Sequence, residues 1–309
     1  MHLEQDAPID DDIHLGRHPG SAWEAVAHGV HVLRDHRADL RTQLRAWQLA
    51  LPFHTSFTGL TAAQLRGWWL PPLPHDLPRF VASGSNDRIR RPGLDVCRHD
   101  DTLPWELLDG VRVTSAAETV LACARDLELL DVVLIGDAAL HSGDVTRHQL
   151  VAVARQRRRG SPLLRQAIPL MNGKAESIFE GLLRVLHEVC GISVDPQVEL
   201  FGPREELIAR ADLLLVGTKT LHEYDGADHL PRARQRRDLR RGRRLLSAGY
   251  QRRGFVREDV LNGGLGILRD ADLAVGREHD PARVRAWYAL LRDSLFTPSG
   301  TRRLRDRLS

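Results

Sequence analysis

The chain has 309 residues and a formal net charge of +3 from 44 basic and 41 acidic side chains, enough for substantial cores and an expected count of two domains. Cys97, Cys123 and Cys190 cannot all pair and share no metal-ligand spacing, which argues against a disulfide scaffold. The opening MHLEQDAPIDDDIHLG lacks an apolar run and no later stretch approaches the length of a membrane span, so a cytoplasmic protein without a membrane partner is expected.

Residues 1–20 are polar and end on Gly16, Pro19 and Gly20, a composition that predicts disorder. SAWEAVAHGV predicts a short helix, followed by a strand at 30–33. Apolar positions at Leu40, Leu44, Trp47, Leu49 and Leu51, stopped by Pro52, predict a helix over 39–52. A capped helix follows at 61–69. Trp68 and Trp69 at its end resemble a base-stacking platform, but burial in a core is the stronger expectation for them. Strands are predicted at 79–82 and 94–98 around the basic loop RIRRPG, and a short strand at 111–113. Thr114 and Ser115, with Glu118 in the first turn, start the next helix, and two further helices span Leu130 to Leu140 and the DVTRHQLVAVARQR segment.

Lys174 to Val189 carries Ile178, Phe179, Leu182, Leu183, Leu186 and Val189 on one stripe, an amphipathic helix with Glu176 and Glu180 on one side. Glu in a first turn is also ordinary complement to the helix dipole. A strand is expected at 195–202. LIARADLLLVGTKTLHEYDGADH, from Leu207 to His229, then reads as two strands joined at Gly217 and Thr218, with Gly first suiting a type II′ turn. Pairing of Val216 with Lys219 sets Asp212 opposite Glu223 on one face. Opposed side chains have Cβ atoms about 4.5–5.5 Å apart, so two carboxylates there repel. A divalent cation is the economical offset, Mg²⁺ or Mn²⁺ by the hardness of the ligands. A solvated Asp212, or a hairpin slipped by one residue, is the alternative.

The basic side chains are arginine apart from Lys174 and Lys219, a bias that GC-rich coding also produces, so position carries more weight than number. Eight of the thirteen residues from Arg232 to Arg244 are arginine. On a helix, Arg232, Arg236, Arg240 and Arg243 align along one side, with Leu239, Leu245 and Leu246 able to face a core. Such a run is either a solvated face or a phosphate-binding flank. NGGLG at 262–266 lacks both nucleotide-binding glycine arrangements, so nucleotide binding is not expected. A closing amphipathic helix is predicted over 281–296.

Asp212 ending a strand, the hairpin, then Glu223, Tyr224, Asp225 and Gly226 with His229 nearby, resembles the core of PD-(D/E)XK nucleases. The similarity is narrower to the branch that holds the very-short-patch repair endonucleases and the domain of unknown function 559. GKAESIFEGLLRVL at 173–186 resembles that branch's opening helix, and RRDLRRGRRLLSAGYQRRGF at 236–255 its closing helix and strand. Upstream, GVHV at 29–32, RRPGLDV at 90–96 and DGVRVTSAAETVL at 109–121 resemble the middle region of actinobacterial proteins labelled AbiEi-type antitoxins or regulators. Fewer than 30 residues precede GVHV, too few for the winged helix-turn-helix with which such proteins commonly begin.

The resemblance implies an α/β chain with disordered residues 1–20, a mixed α+β domain over 21–170, and a restriction-endonuclease-like αβββαβ core within 171–309. It implies Asp212 and Glu223 as metal ligands, Glu176 as a supporting carboxylate, and Asp225 and His229 as water-orienting groups. Asp225 stands where the superfamily's usual motif has lysine, as it commonly does in this branch. His229 can accept a proton near neutral pH, although a loop histidine is more often merely solvated. The expected activity is Mg²⁺- or Mn²⁺-dependent endonucleolytic hydrolysis of nucleic acid, with DNA ahead of RNA. The alternative is a catalytically inactive DNA-binding regulator or antitoxin with a toxin protein as partner, and a protein adaptor is a third reading.

Overall fold

The computed structural model describes residues 11–34, 39–100, 103–202, 204–226 and 241–308. They belong to the α/β class and divide into two compact units, Met1–Trp68 with Asp76–Ala122, and Trp69–His75 with Cys123–Ser309. The division falls inside the helix Ala116–Asp126 rather than after residue 170. Among the described residues, no helix is long and apolar enough to cross a membrane.

The first unit holds two sheets. β1 (Ile13–Leu15), β2 (Trp23–Ala27) and β3 (Val30–Leu33) form a three-stranded sheet in the order β1-β3-β2. Two sequence expectations change here. Ile13 is buried inside the stretch expected to be disordered, and the helix expected at SAWEAVA is strand β2. Gly29, with φ +72°, turns the chain back tightly enough for β2 to pair with β3, and that cross-strand pairing overrides the helix preference of alanine and glutamate.

The helix α1 (Leu40–Leu49) starts as expected, with the Asp39 carboxylate accepting from the Arg41 and Thr42 amides. Its Leu44 and Trp47 join Leu51, Phe57, Val81, Val111 and Val113 in one core. The strands come from a five-stranded sheet of β4 (Ser56–Phe57), β5 (Arg79–Gly84), β6 (Leu94–His99), β7 (Trp105–Leu108) and β8 (Val111–Thr114), in the order β6-β5-β4-β8-β7. A short helix, α2 (Gly59–Leu65), precedes Trp68, which is buried as expected of a core residue.

In the second unit, α4 (Leu129–His141) follows α3 (Ala116–Asp126) and is buried almost all round. The helix α5 (Arg147–Arg155) begins on a capping box between Thr146 and Gln149, and α6 (Ser161–Ala167) follows it. Asp137, on buried α4, accepts from the amides of Asn172 and Gly173 and from the Arg184 guanidinium at 2.7 Å. That pair is fully desolvated and joins α4 to α7 (Ile178–Val189), whose Leu182, Leu183, Val185 and Leu186 are buried. The helix α7 starts at Ile178 rather than near Lys174, because the Ser177 hydroxyl caps it by accepting from the Glu180 amide.

Beyond α7 the chain builds one mixed sheet. β9 (Val194–Phe201), β10 (Leu207–Leu215) and β11 (Thr220–Tyr224) form an antiparallel meander. After the helix over 241–247 (α8), β12 (Gln251–Phe255) returns parallel to β11, giving the order β12-β11-β10-β9. The glycine-rich stretch after it is helical: α9 (Arg257–Asn262) and α10 (Gly264–Ala274) precede α11 (Val284–Asp293) and α12 (Pro298–Leu308).

Candidate active site on the four-stranded sheet

The β10–β11 hairpin has the register that its alternation predicts. Leu213 pairs with His222 and Leu214 with Leu221, which sets Asp212 across from Glu223. The turn is of another type. The Thr218 amide donates to the Leu215 carbonyl and Gly217 is the third residue with φ +80°, a type II arrangement instead of II′. On the other side of β10, Ala211 pairs with Val198 and Leu213 with Pro196, leaving Gln197 across from Asp212. Gln197 has φ +56°, a costly conformation for a non-glycine residue and one that gathers at functional sites.

Asp212 is the electrostatic centre of this face. Burial pushes its carboxyl up to about 7, and the Glu180 and Glu223 carboxylates push the same way, against the Tyr224 amide and the Arg241 guanidinium. One oxygen is fixed by the Tyr224 amide at 2.8 Å. Glu223 is only 2% exposed and binds two arginines: Arg241 of α8 at 2.6 Å and Arg252 of β12. Arg252 also pairs with Asp225, while Arg241 additionally donates to the Arg210 carbonyl. The repulsion expected between Asp212 and Glu223 is therefore offset here by guanidinium groups.

The helix carboxylate beside Asp212 is Glu180, where the resemblance implied Glu176. Glu176 precedes the start of α7 and pairs with Arg210 on β10. Glu180 accepts from the Ser177 hydroxyl, from the Glu176 amide and from the Gln197 side-chain amide, each at 2.8 Å. Next to it, Phe179 stacks on Tyr224 with centroids 4.8 Å apart and planes 10° apart. Lys219 lies at the far end of the hairpin and donates to the Ala248 carbonyl.

Of the arginines expected to line one helix face, Arg243 is exposed on α8. Arg232, Arg236 and Arg240, together with His229, lie outside the described residues. Leu245 is buried, but Leu246 is 72% exposed and faces no core. Glu180, Gln197, Arg241 and Arg252 are the residues that motif reading did not single out. The Ser177-x-x-Glu180 spacing is a capping signature that marks Glu180, whereas Arg252 joins the site only through the parallel pairing of β11 with β12.

The opposite face of β11 carries a buried polar chain. His187 Nδ1 donates to the Leu183 carbonyl at 2.7 Å, His187 Nε2 lies 2.8 Å from His222 Nδ1, and His222 Nε2 lies 3.1 Å from the Asp270 carboxylate. Burial lowers His222, and its His187 and Arg253 neighbours push the same way. Burial holds His187 down at about 4.

Among the described residues, no three His, Cys, Asp or Glu side chains are grouped closely enough to hold a metal ion by themselves. Mg²⁺ is commonly bound by one or two carboxylates, with waters and substrate phosphates completing its shell. Asp212 and Glu180 suit that role, since burial and the carboxylates around Asp212 together outweigh the Arg241 guanidinium, a balance that a cation would redress. Glu223 suits it only once Arg241 and Arg252 turn away. Comparison with protein-family models, curated proteins and solved structures finds no match to this chain.

Proposed function

We propose that the second unit hydrolyses phosphodiester bonds of nucleic acid, DNA ahead of RNA, with Mg²⁺ or Mn²⁺. The observation that carries this reading is Asp212 across from Glu223 on a buried sheet face, with Glu180 near enough to raise Asp212 and two guanidiniums alongside. The element order α7-β9-β10-β11-α8-β12 supports assigning a restriction-endonuclease-like core of the PD-(D/E)XK kind. Asp212 and Glu180 would hold the ion, joined by Glu223. When bound, the ion supplies a more acidic water and a counter-charge for the phosphate oxygens.

The chain's own residues contribute the rest. The Tyr224 amide fixes one oxygen of Asp212, which leaves its other oxygen for the ion or for a proton. Arg241 and Arg252 face carboxylates now and are drawn to an incoming phosphate, whose charge they can bind with a planar fork. Their transfer from Glu223 to the phosphate frees Glu223 as the phosphate arrives. Asp225 holds the second edge of Arg252 and limits how far that side chain travels. Burial raises Asp212 to about 7 before any cation binds, so it keeps its proton to higher pH than an ordinary carboxyl and releases it when a cation binds.

The test is plasmid relaxation in Mg²⁺ or Mn²⁺ for the wild type, Asp212→Asn, Glu180→Gln and Glu223→Gln. Cleavage by the wild type that falls at least about 100-fold in Asp212→Asn supports the reading, the scale expected for losing a catalytic group. Equal cleavage by wild type and variants removes it. The engagement of both Glu223 oxygens by arginine favours a second reading, a catalytically silent nucleic-acid-binding protein. That reading predicts retention of DNA without cleavage in either metal.

A further inference from the structure

The loop RIRRPG in the first unit lies apart from the carboxylate site in sequence and has no part in the chemistry above. It connects β5 to β6, the outermost strand of the five-stranded sheet. Its backbone is held at several points. The Asp87 carboxylate accepts from the Gly84 amide at 3.1 Å and from His54 at 2.7 Å, and also binds the Ser83 hydroxyl. The Arg98 guanidinium, from β6, donates to the Asp87 and Ile89 carbonyls at 3.1 and 3.4 Å. The Arg79 amide donates to the Gly93 carbonyl at 2.7 Å, and a turn joins the Leu94 amide to the Arg91 carbonyl.

This braced loop leaves Arg88, Arg90 and Arg91 exposed, with no ion pair among the described residues. A groove of about 440 Å³ is lined by Arg90, Arg91 and Arg98 over a floor of Ile89, Leu94 and Val96, and no carboxylate lines it. A backbone held in this way lowers the ordering cost of binding a polyanion to that of the arginine side chains themselves.

We infer that this groove is a second nucleic-acid contact, one that grips the phosphodiester backbone of a duplex without reading its sequence. Charge complementarity identifies the ligand class, because guanidinium forks bind phosphate oxygens and contribute affinity that is independent of sequence. The lining contains no Phe, Tyr or Trp, so the stacking platform on which single strands are held is missing, and phosphates alone remain to be gripped. The contact goes beyond the hydrolytic reading and stands whether or not the second unit cleaves.

The experiment measures binding of the full chain to a labelled duplex of arbitrary sequence, with EDTA present, across a range of salt. The wild type is compared with Arg88→Gln/Arg90→Gln/Arg91→Gln. Each lost phosphate contact lowers the slope of log K against log salt by about one, so the triple variant is expected to lose between about one and three units of slope. Cleavage in Mg²⁺ is read separately from binding in EDTA on the same proteins, so failure of the hydrolytic reading and failure of this one give different results. Unchanged slope and affinity in the triple variant overturn the proposal. So does loss of binding to polyglutamate with duplex binding intact, which would assign the groove to an acidic polypeptide. Thermal melting checks the fold, and Arg90→Gln/Arg91→Gln replaces the triple variant if that one melts early.

Discussion

Gly254 shows how closely the site is assembled atom by atom. It pairs with Glu223 across the β11–β12 ladder, and a Cβ built on it would lie 1.8 Å from an Asp225 carboxylate oxygen. The obstructing atom is the end of a short side chain, so Gly254→Ala is expected to move the Asp225 carboxylate off Arg252 while leaving the strand paired. The cost is that of an exposed ion pair, below about 1 kcal/mol. A double-mutant cycle checks it: the fall in Tm from Gly254→Ala should vanish in an Asp225→Ala background. Equal falls in both backgrounds would show that β12 itself had shifted. At this scale the sequence was informative about Asp212 and Glu223, because alternation along two strands fixes which side chains share a face. It was silent on their counter-charges. Arg241 and Arg252 come from segments whose distance to β11 depends on the chain's return path, which no local pattern encodes.

Among elements, the strongly periodic ones were legible: α1, α7 and the β10–β11 hairpin follow directly from apolar spacing. β7 was not anticipated, although Asp109 and Gly110, both with positive φ, form the two-residue turn that joins it to β8. The helices α9 and α10 were hidden by their glycines. Gly264 stands where a Cβ would lie 2.9 Å from the Trp287 ring, so it is retained for close approach of α10 to α11 rather than for looseness. One desolvated ion pair ties α4 to α7 in addition to their apolar packing. Asp137→Ala would leave Arg184 buried without its carboxylate and the Asn172 and Gly173 amides without their acceptor. The expected loss is about 3–5 kcal/mol in urea denaturation, as for other broken buried pairs. Arg184 retains Glu188 at 2.5 Å, which places the loss toward the lower end of that range.

For the molecule as a whole, buried titratable groups set opposing trends with pH. Asp131, 1% exposed, and Asp212 are both pushed up to about 7, chiefly by burial, from an ordinary value near 3.8. A carboxyl whose folded value is raised contributes stability that is complete below about pH 4 and is lost as pH rises to about 7. His187 has the opposite sign, since its folded value of about 4 lies below 6.5, so its contribution is present above 6.5 and lost as pH falls. His222, lowered further still by burial and by its His187 and Arg253 neighbours, shares that sign, so two descending contributions meet two rising ones and wild-type Tm is expected to stay nearly level between pH 4 and 6.5. In Asp131→Asn/Asp212→Asn the two histidine contributions are left unopposed and Tm should climb with pH. After Asp131→Asn the side-chain carbonyl can still accept from the Ser294 hydroxyl and the Leu295 amide, which keeps the comparison clean. Parallel melting series in matched buffers read the sign directly, and matching slopes for both proteins would show that these carboxyls do not titrate as described.

The position of β12 at the margin of its sheet has another effect. A strand with a free side offers its amides and carbonyls to any passing extended chain, a hazard for self-association. Here that strand carries Arg252 and Arg253, one engaging Glu223 and Asp225 and the other Asp270 on the opposite face. Charged side chains on such a strand are the usual guard against that pairing, so Arg252→Val/Arg253→Val is expected to raise self-association, read as the apparent mass in solution.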